Sequence, residues 1–148
     1  MLVATLQTLF DRDLNKLRQE IEAYRREEAI WLAEEGISNS AGNLCLHLLG
    51  NLNTYIGAGL GHSGYIRNRE LEFSRKDVPR AELVAGIEAT RLVVATALAQ
   101  LPDEQLSQEY PLLVFENKTS TAYMLTHLAT HLAYHLGQVN YHRRLLDA

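Results

Sequence analysis

Leu6, Phe10, Leu14, Leu17, Ile21 and Tyr24 recur at steps of three and four residues, with Arg, Glu and Lys between them. That spacing lays one apolar stripe along an α-helix and predicts a first long helix over residues 2–34. Gly36 is its stop, and Ser38, Asn39 and Ser40 offer N-caps for a second helix that runs to about Gly59. A glycine-rich turn, GLGHSGY, follows, and the polar run YIRNRELEFSRKD at residues 65–77 reads as the longest loop. Asp77 and Pro79 signal the start of a third helix, with Leu83, Ile87, Val94, Leu98 and Leu101 on one face and Pro102 and Asp103 at its end. SQEYPLLVFENK reads as extended or irregular, with a short hairpin-like excursion. Thr119, Ser120 and Thr121 can then cap a fourth helix that continues to about Leu146. With strand signal confined to one short run, the expected fold is all-α: a four-helix bundle with a long loop between helices two and three and a short irregular excursion before helix four.

Charge is distributed unevenly over these helices. No Asp, Glu, Lys or Arg occurs from Ile37 to Ile66, nor from Thr119 to His142. An outer helix of a bundle normally carries a charged face, so helices two and four should be covered on more sides, by loops or by a second subunit. The expectation is a homodimer. At 148 residues, without internal repeats or a linker, the chain reads as a single domain over residues 1–148. A net charge of −4 with no Lys/Arg block carries no nucleic-acid footprint. The N-terminus lacks a basic leader and meets charge at Asp11, and no stretch approaches the roughly 18 apolar residues of a membrane span. The lone Cys45 excludes an intrachain disulfide. These features lead us to expect a soluble, cytoplasmic protein that binds neither nucleic acid nor membrane and acts on a small-molecule substrate.

The chemistry lies in the histidines. His127, His131, His135 and His142 crowd the fourth helix, and His47 sits in the charge-free second one. Steps of four residues turn a helix by about 40° and advance it about 6 Å, so His131 and His135 share a face on which both rings can meet one ion. His127 and His131 are related in the same way. His142 lies roughly 10 Å along the axis from His135, too distant to share that ion. A third ligand must come from another helix, and His47 is the candidate. A buried histidine is more often a hydrogen-bonded core residue than a ligand, and that alternative stays open for His47. His62 reads as a solvated loop residue, and His142, ahead of Arg143 and Arg144, as a cation at the negative end of the helix dipole. Asn51, Asn53, Tyr134 and Gln138 are positioned to hydrogen-bond ligand imidazoles or one another.

Several enzyme classes are excluded. No Glu stands between the histidines of the fourth helix, as a metalloprotease would need, and no Glu-x-x-His occurs, as a ferritin-like di-iron centre would need. GAGLGHSG lacks the lysine and the preceding strand of a phosphate loop. Cys45 and His47 point about 200° apart on a helix, so they form no nucleophile pair.

HLATHLAYHLGQVNYHRR resembles the C-terminal signature of the DinB/YfiT-like superfamily, a His-x-x-x-His followed by a short Gly-Gln run, and LCLHLLGN resembles that family's second-helix segment. The resemblance spans essentially the whole chain. It implies a dimeric four-helix bundle that holds a divalent metal such as nickel or zinc through His47, His131 and His135, with His127 as an extra. Family members often have Arg before the glycine, where this chain has Leu136. Known family activities include transferases and isomerases that use low-molecular-weight thiols, so a thiol-dependent transferase is the activity implied, and a binding module without catalysis is the alternative. Arg67 and Arg69 are candidates to hold a carboxylate of such a thiol, or else to pair with Glu70 or Glu72 on the surface.

Overall fold

The computed structural model describes all 148 residues. It contains α1 (Leu2–Ala23), α2 (Ala41–Leu52), α3 (Arg69–Ser74), α4 (Arg80–Ala99) and α5 (Thr121–Leu146), and no strand beyond the isolated bridge between Glu109 and Ser120. The four long helices pack as a bundle: α1 lies against α4 and α5, and α2 against the same two, with α3 laid on α2. One contiguous apolar core runs through all four, including Leu14 of α1, Leu48 of α2, Ile87 of α4 and Leu128 of α5.

Most of the expected boundaries recur. Ser40 caps α2 by accepting from the Asn43 amide, and Ser120 caps α5 by accepting from that of Tyr123. Pro79 stands just ahead of α4, whose buried face holds Leu83, Ile87, Val94 and Leu98. α2 continues as far as Ala58 through a π-helical stretch, Asn53–Ala58. The excursion before α5 is closed by Tyr110 N donating to Thr119 O and Thr121 N donating to Gln108 O.

Two expectations need correction. The first helix does not reach residue 34: it ends at Ala23, and a 3-10 turn covers Glu27–Trp31. Beyond Tyr24 the backbone donors turn to a distant side chain, since Arg25 N and Arg26 N both donate to the Asp147 carboxylate, at 2.6 and 3.1 Å. Tyr24 still buries its ring, as the apolar spacing required, but from a non-helical backbone. The polar loop over 65–77 is also not wholly loop. It contains α3, capped by Asn68, whose side chain accepts from the Leu71 amide.

The charge-free helices differ in how they are covered. α2 is buried over most of its length by its own chain. α5 instead leaves Tyr123, Tyr134, Tyr141 and Leu145 exposed. No helix is long and apolar enough to cross a membrane.

Candidate metal centre

α2 and α5 face each other so that His47, His131 and His135 come together, one ligand atom from each lying within 4.8 Å of the others. Leu48 on α2 and Leu128 and Leu132 on α5 are buried in the one apolar core that packs these two helices together. His47 Nε2 and His131 Nε2 are 3.2 Å apart. Two imidazoles on one ion at bond lengths of about 2.0–2.1 Å and a tetrahedral angle would be roughly 3.3 Å apart, so this pair already has the spacing of ligands.

The protonation pattern also suits a cation. His47 Nδ1 donates to Glu72 Oε1 at 3.0 Å, which leaves the Nε2 lone pair directed at the cluster. His135 Nδ1 lies 2.7 Å from Gln138 Oε1, an acceptor, and so carries the proton and frees its own Nε2. Burial holds the His47 imidazolium below its ordinary range, although the Glu72 hydrogen bond opposes it. His131 is pushed down to about 4, first by burial and then by the positive charge its neighbours His135, His47 and His127 would add. Near neutral pH His131 is therefore an uncharged donor. Its Nδ1 is buried without a hydrogen-bond partner. The residues present fit a divalent ion with open positions, since three imidazoles from the chain leave the rest of its coordination to water or substrate.

Glu72 is the residue that sequence reasoning missed in this role. It stands on α3, buried to 6% exposure, between His47 and Arg67. Arg67 grips it with two parallel bonds, Nε to Oε2 at 2.8 Å and Nη2 to Oε1 at 2.9 Å. Asn43 of α2 fastens the segment by donating to the carbonyls of Glu72 and Arg75. Gly50 makes room: a Cβ there would overlap the Glu72 carboxylate. The only signal in the sequence was a need, because a buried imidazole requires an acceptor for its N–H.

Other candidates fall elsewhere. Arg67 takes the pairing alternative with Glu72, half-buried rather than on the surface, and spends Nε and Nη2 on that carboxylate. Arg69 stacks over the Phe73 ring. Of the four residues positioned to support the imidazoles, Gln138 does so. Asn53 bonds Leu49 O and Thr90. Tyr134 only sets its exposed ring beside His135, and the side-chain Oδ1 of Asn51 is buried without a partner. His127 packs on Phe115 and stacks near His131, outside the three-residue group. His62 is exposed, with φ of 54°. Cys45 is buried and its thiol is pushed up to about 12 by burial, in keeping with no nucleophilic role.

His142 is a correction. Expected as a charge at the negative end of the helix dipole, it is instead a core residue, 4% exposed. Its Nε2 donates to Leu32 O at 2.8 Å, and its Nδ1 accepts from the Tyr24 hydroxyl at 2.6 Å. The neutral Nε2–H tautomer satisfies both contacts.

Fold and site together define an all-helical bundle with a three-histidine cluster between two facing helices, a group that could hold a metal ion. The chain belongs to the DUF1572 family, described as a protein of unknown function, whose model matches residues 2–148. No curated protein matches it.

Proposed function

We propose that the chain is a metal-dependent enzyme in which His47, His131 and His135 hold a divalent transition ion, nickel or zinc, for thiol-dependent group transfer. The observation that carries this reading is the convergence of three imidazole donors within 4.8 Å across two helices. The likeness of LCLHLLGN and HLATHLAYHLGQVNYHRR to the DinB/YfiT-like superfamily supports it. A bound ion of this kind lowers the pKa of a coordinated thiol or water. The chain's own residues prepare the site. Glu72 holds the His47 tautomer and ring plane, Gln138 does the same for His135, and Arg67 keeps Glu72 in place. Elemental analysis of protein purified without an affinity tag should find one metal per chain in the wild type and none in His47→Ala. Retained metal in that variant would remove the two-helix site.

One observation favours a second reading, a binding module without catalysis. The carboxylate that reaches the cluster has both oxygens engaged by Arg67 and His47, so it is not free as a general acid or base. Conjugation of common low-molecular-weight thiols to electrophiles by the metal-loaded protein decides between the two. The reading includes a homodimer. The uncharged N-terminal half of α5, with Tyr123 exposed, is the surface a second copy would cover. A monomeric mass by light scattering at micromolar concentration would sink that part alone.

A further inference from the structure

A cleft of about 420 Å³ opens between the turn at Gly36–Asn39, Leu44 of α2 and the C-terminal half of α5. His135 and Gln138 both line it, so its wall includes one member of the histidine cluster and the residue that orients it. We propose that this cleft binds a small uncharged molecule with an aromatic or aliphatic body, its polar end set against Gln138 and His135. The inference rests on the metal reading only in placing that polar end beside the reacting centre.

The lining contains no Asp, Glu, Lys or Arg. Its body is apolar: Ile37, Leu44, Leu145 and the rings of Tyr134 and Tyr141. His142 also reaches the wall, but both of its ring nitrogens are spent on Tyr24 and Leu32. Gln138 accepts from His135 through Oε1, which leaves its NH2 group as a donor for an incoming acceptor. Arg144 stacks over the Tyr141 ring without lining the cleft. In the metal-free protein a charged ligand would leave water for a wall with no Asp, Glu, Lys or Arg, whereas a neutral one keeps its hydrogen bond and buries its body. The volume lies within the range of small-molecule sites. The apolar body of the cleft suits the neutral molecule that receives or gives the transferred group.

A matched pair of fluorescent probes tests this. N-phenyl-1-naphthylamine is neutral, and 8-anilinonaphthalene-1-sulfonate is the same aromatic body carrying one negative charge. Titrated into the metal-free full chain, the neutral probe should saturate at one per chain and bind about ten-fold or more tightly than the sulfonate. Leu145 is exposed, so Leu145→Glu should fold normally and cost the neutral probe a similar factor. In nickel-loaded protein the proton signals of the bound probe should broaden relative to zinc-loaded protein, because the cleft adjoins His135. Equal affinity for the two probes overturns the proposal, as does an unchanged affinity in Leu145→Glu. Loss of probe binding as protein concentration rises would also overturn it, since a second copy would then fill the cleft. If the protein takes up no metal, the metal reading fails, while the titrations in metal-free protein still decide the cleft.

Discussion

Removing the Glu72 carboxylate should separate what it does for the metal centre from what it does for the fold. In Glu72→Ala two groups lose their partner at once: the His47 Nδ1–H and the Arg67 guanidinium. Arg67 has a side chain only 14% exposed, and breaking a buried ion pair by deleting one partner costs about 3–5 kcal/mol. Because Arg67 keeps some access to water, we expect the lower end, about 3 kcal/mol. For the metal, the loss of the group that orients a ligand imidazole costs about 10–100-fold in affinity, roughly 1.4–2.7 kcal/mol. The double variant Arg67→Ala/Glu72→Ala removes the stranded charge. It should regain much of the stability and none of the metal affinity. Glu72→Gln keeps an oxygen that can accept from His47 and should fall between wild type and Glu72→Ala. The assay is a competitive zinc titration against a chromogenic chelator, run beside urea unfolding of the metal-free proteins. Wild-type zinc affinity in folded Glu72→Ala, or its recovery in the double variant, would refute the argument.

The same geometry makes three further predictions. Gly50→Ala should weaken zinc binding by displacing Glu72, although Ala for Gly inside a helix ordinarily stabilises by about 0.5–1 kcal/mol; a more stable variant with unchanged affinity would count against the crowding. Tyr24→Phe keeps the buried ring but strips the His142 Nδ1 acceptor of its donor, which should cost about 1–3 kcal/mol in urea unfolding and leave metal content unchanged. In metal-free protein the folded His131 titrates at about 4 against an ordinary 6.5, so between those values the unfolded chain holds a proton that the folded chain does not. Stability should fall on acidification through that window, and His131→Gln should lose this part of the pH dependence; equal slopes for the two proteins would contradict it.

How much of this was legible in the sequence follows from the range of each interaction. Helix identity, the buried face of α4, and the caps at Ser40 and Ser120 are decided by residues within a turn or two of one another, so periodicity and capping chemistry exposed them. The convergence of His131 and His135 is local in the same sense. The pairing with His47 was expected from its charge-free surroundings and from the family resemblance, and the packing of α2 on α5 brings the three rings together.

Tertiary structure alone decided the rest. Just past the end of α1, Asp147, more than a hundred residues away, takes the backbone amides of Arg25 and Arg26. His142 became a core residue because folding brings Tyr24 and the Leu32 carbonyl to its two nitrogens. Glu72 looked like one more charge in a polar loop until a short helix carried it over Gly50 to His47. In each case a polar group found its partner across the bundle, and no spacing along the chain records that distance. The sequence by itself determined that this is an all-helical chain with histidines on facing apolar helices. Only the packing determined which carboxylate orients those imidazoles and which histidine is spent inside the core.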